Sequence, residues 1–156
     1  MYGANRFAAQ NDERNKWHEH RPHLLIVDDD ATARLAIAAS VQRDNYRVSF
    51  CCSGNEVKDR IAGINPDVII CDLVMEGMHG HELFRWLKGS EAWRHVPIIA
   101  VTRLNDPVVR ADLLDCGAVA FLAKEEVAAE LAGLVRKVLE IREPSHLAPE
   151  ARRETD

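Results

Sequence analysis

Asp72 closes the apolar run Val68-Ile69-Ile70-Cys71, and three more apolar runs of the chain end in groups that can do chemistry. Leu24-Leu25-Ile26-Val27 leads into Asp28 and Asp29, Val96 to Val101 delivers Thr102, and Ala120 to Ala123 delivers Lys124. Continuous apolar runs of this length read as strands buried on both faces. If those strands are parallel, the polar groups share one edge, the rim where open α/β sheets bind ligands. Carboxylates gathered there repel and raise one another's pKa values unless a hard cation neutralises them. Mg2+ suits such a set, because it takes about six oxygens, keeps several waters and needs only one or two carboxylates from the protein. A carboxylate so placed can attack a phosphoryl donor as a nucleophile. A hydroxyl and an ammonium beside it can bind the transferred oxygens. Asp72 is the candidate acceptor, with Asp28, Asp29, Thr102 and Lys124 around it.

The segments between the runs supply the elements that must hold these groups. Ala33, Ile37, Ala38 and Val41 fall on one face of a helix that Asn45 helps to close, and Tyr46 to Phe50 is a short β-type run. Ser53-Gly54 turns the chain into a second helix, marked by Val57, Ile61 and Ile64 and broken by Asn65-Pro66. Leu83, Phe84 and Leu87 belong to a helix that follows Gly80. Asp106-Pro107 is an N-cap followed by proline at the first helical position, and Gly117 stops the helix that begins there. Val127, Leu131, Leu134, Val135 and Val138 draw an apolar stripe along a long last helix. Five strands alternating with five helices imply right-handed crossovers and an α/β, doubly wound, five-stranded parallel sheet.

The chain of 156 residues fits one domain, expected over residues 23–142, with a polar leader at 1–22 and a polar tail at 143–156. A formal charge of -5 leaves no basic footprint, which argues against direct binding of nucleic acid or an anionic membrane surface. Four cysteines without a C-x-x-C spacing fit a reduced, cytoplasmic setting. No stretch approaches the roughly 20 apolar residues of a membrane span, and the amino terminus lacks the apolar core of a secretory signal. His18, His20 and His23 of the leader, with Trp17, read as a solvated segment rather than a transition-metal site.

In these residues the chain resembles the receiver domain of bacterial two-component response regulators, and within it a stand-alone, chemotaxis-regulator-like receiver. The resemblance runs from about Leu24 to Ile141. It rests on VDD at 27–29, DLVMEGMHG at 72–80, VT at 101–102 and GAVAFLAK at 117–124, in the family's order and spacing. It implies a flavodoxin-like fold with strand order 2-1-3-4-5. It also implies that Asp72 accepts a phosphoryl group from a histidine kinase or histidine phosphotransfer protein. Asp28, Asp29, Asp72 and the backbone carbonyl of Val74 would then hold Mg2+. Thr102 and Lys124 would bind the phosphoryl group, and Thr102 with Phe121 would form the switch. The stretch after the last helix is too short for a folded output domain. Output is therefore expected through contact with a downstream effector protein. A possible homodimer would use the face made by the helix from Pro107, the fifth strand and the last helix.

Three positions depart from the family pattern. Glu76 replaces a loop proline, and Arg103 follows the threonine where a small residue is usual. Glu125 replaces the proline that follows the lysine, commonly through a cis bond. A cis bond without proline costs about 2.5 to 4 kcal/mol, so the Lys124-Glu125 bond is expected to be trans and the lysine loop somewhat shifted. Arg103 could screen a phosphoryl group from water or reach an acidic partner. Asp28, Asp30 and Thr32 also match the D-x-D-x-T of haloacid dehalogenase-like phosphatases, with Asp28 as nucleophile, although no acidic motif follows the lysine on a further strand. A third reading is a receiver fold that docks partners without phosphorylation.

Overall fold

The computed structural model describes residues 21–75, 80–103 and 106–142. Its strands are β1 (His23–Val27), β2 (Arg47–Cys51), β3 (Val68–Cys71), β4 (Ile98–Thr102) and β5 (Ala120–Ala123). The helices are α1 (Ala31–Ser40), α2 (Gly54–Ile64), α3 (Gly80–Gly89), α4 (Pro107–Asp115) and α5 (Val127–Arg142). The strands form one sheet in the order β2-β1-β3-β4-β5, and every neighbouring pair is parallel. This is the doubly wound order 2-1-3-4-5 that the family resemblance implies.

The apolar runs become strands because both faces of the sheet are covered. β1, β3 and β4 are buried throughout, whereas β2, at one edge, is only partly so. Successive residues of a strand point to opposite faces. Leu25, Val27, Ile69, Cys71, Ile98 and Ala100 accordingly pack with Val57 and Ile61 of α2, Leu83, Phe84 and Leu87 of α3 and Leu113 of α4. Their neighbours Leu24, Ile26, Val68, Ile70, Ile99 and Val101 pack with Ile37 of α1 and Val127, Leu131 and Val135 of α5.

The punctuation works largely as the sequence indicates. Asp30 caps α1 by accepting from Thr32 N–H, Ser53 caps α2 through Glu56 N–H, and Asp106 caps α4 through Val108 N–H with Pro107 at its start. Asn65 closes α2 in the left-handed region, and Gly117 ends α4 at φ 103°. Boundaries shift by a residue or two. β4 starts after Pro97, which has no N–H to give the ladder, and it runs one residue further than expected, through Thr102. α1 stops at Ser40, and a short 3-10 turn (Gln42–Asp44) separates it from left-handed Asn45.

His23 corrects the reading of the leader. It opens β1 and is 6% exposed, its Nε2 2.7 Å from Ser49 Oγ and its N–H donating to Asp67 Oδ2 at 2.8 Å. His23 is the first residue of an interior strand, paired with Arg47 on β2, rather than part of a solvated leader. Residues 1–20, with Trp17, His18 and His20, and the tail 143–156 lie outside the described residues, as do Glu76 and the loop around it. The four cysteines are free, as expected.

Candidate functional site

Strand register brings the acids together. Val27 lies opposite both Cys51 and Cys71, so Asp28 and Asp72 leave the sheet side by side, tied by hydrogen bonds from Asp28 N–H to Cys51 O and from Asp72 N–H to Val27 O. Thr102 lies opposite Ala123, which sets Lys124 one residue beyond. Asp29, Asp30, Asp72, Val74, Thr102, Arg103 and Lys124 line one cleft of about 250 Å3. Asp28 is beneath it, fully buried, and Thr102 is 1% exposed.

The two inner carboxylates are held alike. Asp28 Oδ1 accepts from Asp30 N–H at 3.0 Å, and Asp72 Oδ1 accepts from Val74 N–H at 3.3 Å. Each is a local turn closed by a short acidic side chain onto the backbone two residues on. The other two oxygens face Lys124, whose Nζ donates to Asp72 Oδ2 at 3.1 Å and lies 2.8 Å from Asp28 Oδ2. The approach to Asp28 is an ion pair without hydrogen-bond geometry, and that buried oxygen has no hydrogen-bond donor. Burial raises the Asp72 carboxyl above its ordinary range, with Asp28 adding to the effect, while Lys124 and the Val74 N–H oppose it. Burial alone would lower the Lys124 ammonium, but the two carboxylates beside it, Asp28 and Asp72, outweigh it and hold the group above the usual lysine value. Lys124 therefore stays charged.

Asp28, Asp29 and Asp72 each present an oxygen within 4.8 Å of the others. This all-oxygen set fits a hard divalent cation better than the softer transition metals, which favour nitrogen or sulfur ligands. Val74 turns its side chain to solvent and lines the cleft, so only its backbone is available as a ligand there.

The remaining sequence expectations find definite places. The Lys124-Glu125 bond is trans, as no described peptide bond is cis. The residues after β5 form a 3-10 turn, Lys124–Glu126, in which the Glu126 carboxylate accepts from Ala123 N–H at 3.0 Å and closes the corner without proline. Phe121 is 9% exposed, inside the core, with the Arg110 guanidinium 4.7 Å over its ring. Asp30 is a helix cap, and Arg103 reaches it from across the cleft, Nη2 to Oδ2 3.9 Å. The phosphatase alternative finds no support, because Asp28 is sealed from the cleft that a nucleophile must face, whereas Asp72 lines it.

Gly80 is a position beside Asp72 that chemical reasoning on side chains passed over. A Cβ there would lie 2.7 Å from Leu73 Cα and 2.9 Å from Asp72 O, and Gly80 N–H donates to Leu73 O at 2.9 Å. α3 thus begins against the backbone of Leu73 and Asp72, at a distance only glycine permits. Its signal in the sequence was the glycine that ends the DLVMEGMHG motif.

Comparison with known proteins agrees with this geometry. Residues 24–136 match the family model described as Response regulator receiver domain. Response regulator MprA of Mycobacterium tuberculosis is 31% identical over 125 residues, which make up 80% of this chain and 54% of that protein. Two-component response regulator ORR11 of Oryza sativa subsp. indica is 32% identical over 120 residues, 76% of this chain and 81% of that protein. The chain spans about half the length of MprA and of Transcriptional regulatory protein AfsQ1 of Streptomyces coelicolor. Among solved structures, a response regulator from Chloroflexus aurantiacus superposes with a TM-score of 0.73 at 29% identity, covering 78% of this chain and 99% of that one. With its family model matched over most of its length, its sheet in the 2-1-3-4-5 order and its strand-end acids around one lysine, the chain belongs to the response regulator receiver domains.

Proposed function

We propose that this chain is a phosphorylation-controlled signalling receiver in which Asp72 accepts a phosphoryl group from a phosphohistidine of a histidine kinase or histidine phosphotransfer protein. The observation that carries this reading is the bridge of Lys124 Nζ between Asp28 and Asp72, at the base of an open cleft that Asp72 lines. An Asp72 carboxylate oxygen attacks phosphorus and the P–N bond breaks, its electron pair returning to the imidazole nitrogen, which takes up a proton. Lys124 holds one carboxylate oxygen and leaves the other to react, then pairs with the acyl phosphate. Thr102, at the end of β4, binds a phosphoryl oxygen through its hydroxyl. Asp28, Asp29, Asp72 and the Val74 carbonyl would hold Mg2+, which supplies positive charge where the transferred oxygens gather.

The change at Thr102 then biases a second arrangement of Phe121 beneath α4, a population shift driven by one local charge change. Val108 and Leu114 of α4, Val119 before β5 and Ile141 of α5 are exposed apolar residues. They favour the α4-β5-α5 face for a downstream effector or a second copy of the chain. Among the described residues no helix is long and apolar enough to cross a membrane, in keeping with work in the cytoplasm.

The test is incubation with a small phosphodonor and Mg2+, read by intact mass. Uptake of one phosphoryl group is expected, abolished in Asp72→Asn and slowed but retained in Asp28→Asn. Uptake that survives Asp72→Asn and vanishes in Asp28→Asn would overturn the assignment.

A further inference from the structure

We propose that Arg103 is a guard of the phosphoryl group, held in reserve across the cleft mouth by Asp30 and drawn inward once Asp72 is phosphorylated. The inference rests on the phosphoacceptor reading of Asp72 and extends it to the lifetime of the product.

Arg103 is the first residue beyond β4, and Asp30 stands between β1 and α1, so their ion pair spans the mouth from two different loops. Both line the cleft that holds Asp72, Thr102 and Lys124. Asp30 has its two oxygens committed differently. Oδ1 caps α1 through Thr32 N–H at 2.9 Å, and Oδ2 faces Arg103. At 3.9 Å, with the arginine side chain 76% exposed, this pair is weak and easily exchanged. An acyl phosphate in the same cleft carries close to two negative charges and three acceptor oxygens, against one charge and one free oxygen on Asp30. A guanidinium binds phosphate through two parallel N–H donors, which a single carboxylate oxygen at 3.9 Å does not offer. The exchange therefore favours the phosphoryl group.

Its consequence is for hydrolysis. In that step a water oxygen bonds to phosphorus as the bond from phosphorus to the Asp72 oxygen breaks. The electron pair returns to the carboxylate, and the two protons of water leave with dihydrogen phosphate. The attacking water must come from the side opposite Asp72, which is itself 5% exposed at the cleft base, and that side is the mouth. An arginine seated there excludes the water. Lys124 and Thr102 already serve the phosphoryl oxygens from below, so the guanidinium guards more than it catalyses.

The experiment loads the 156-residue protein with a small phosphodonor and Mg2+, removes the donor and follows loss of the phosphoryl group by intact mass. Arg103→Ala is expected to lose it about fivefold faster, the equivalent of roughly 1 kcal/mol in the barrier. Arg103→Lys, which keeps the charge, should fall between the two. Asp30→Asn, which keeps the helix cap but frees the arginine, should hold the group at least as long as wild type. Equal lifetimes in wild type and Arg103→Ala would overturn the guard, and so would slower loss in Arg103→Ala, the mark of an arginine that speeds transfer. Loss from Asp30→Asn as fast as from Arg103→Ala would also overturn it, since the pair rather than the released arginine would then be the shield. Failure of the wild type to label at all would overturn the phosphoacceptor reading and the guard together, an outcome distinct from labelling with unchanged lifetimes.

Discussion

At the scale of single residues, Lys124 neutralises a buried carboxylate whose other contact is the Asp30 N–H. Asp28 is fully buried, and the only cation within ion-pair distance of its carboxylate among the described residues is Lys124 Nζ, 2.8 Å from Oδ2. Removing one partner of a buried pair leaves an uncompensated charge, a loss of about 3 to 5 kcal/mol. Lys124→Met is therefore expected to destabilise the fold by about 3 kcal/mol in urea unfolding without divalent cation. Adding Asp28→Asn to that variant should recover much of the loss, because the charge that lacked a partner is gone. A double variant no more stable than Lys124→Met alone would show that the lysine matters for packing rather than charge. The sequence announced Lys124 as a strand-end cation aimed at the acceptor. That it also serves Asp28 was not legible, since the depth of a side chain below the rim depends on how the last turn of the strand twists. The link between Arg103 and Asp30 was hidden for a similar reason: two loops far apart in sequence meet only after the sheet is assembled.

At the scale of elements, helix starts position the loops, and two of them can be tested. Ser53 Oγ accepts from Glu56 N–H, and the Glu56 carboxylate reaches back to accept from the Cys52 N–H at 2.7 Å and from the Cys52 thiol at 3.0 Å. The Cys52 thiol, then the Cys52 backbone N–H and Arg60, hold the Glu56 carboxyl at about 2 against an ordinary 4.5. Because the folded-state value is depressed, the stabilisation is present above pH 4.5 and is lost as pH falls toward about 2. Glu56→Gln should lower stability by about 1 kcal/mol near neutral pH. The gap in melting temperature from wild type should close across that acid window, whereas a constant gap would point to lost packing. The second start is α3. Gly80→Ala places a methyl against Leu73 Cα and Asp72 O, which forces backbone apart beside Asp72. A loss of about 2 kcal/mol is expected, with slower phosphoryl uptake at Asp72 than in a surface variant of equal stability. Capping was readable, as Ser53, Asp106 and Pro107 show, because it depends on residues adjacent in sequence. The closeness of Gly80 to Asp72 is a tertiary distance, and only the motif hinted at it.

At the scale of the whole molecule, the site lies where the winding of the sheet reverses. From β1 the chain moves outward to β2, then returns to place β3 on the other side of β1, so α1, which follows β1, and α3, which follows β3, leave the rim toward opposite faces. Crevices form at such points outside the C-terminal ends of the strands, and there Asp28, Asp29 and Asp72 emerge together. This much followed from the apolar runs, whose length and order dictate a parallel sheet and therefore one shared edge. The same convergence stores repulsion: three carboxylates whose oxygens come within 4.8 Å have one lysine between two of them. A cation that binds the folded cluster and not the unfolded chain must stabilise the fold by mass action. At a hundred times its dissociation constant that amounts to about 2.7 kcal/mol, or roughly 10 °C in melting temperature for a domain of this size. Mg2+ is accordingly expected to raise the melting temperature of the wild type in a saturable manner. Asp29→Ala, which removes the exposed oxygen of the cluster, should shift that curve to much higher Mg2+ concentration. Sodium chloride at equal ionic strength should give a smaller, unsaturable change in both proteins. An equal, unsaturable response to Mg2+ in wild type and Asp29→Ala would mean that the ion only screens the acidic rim, and the three aspartates would then not be its ligands.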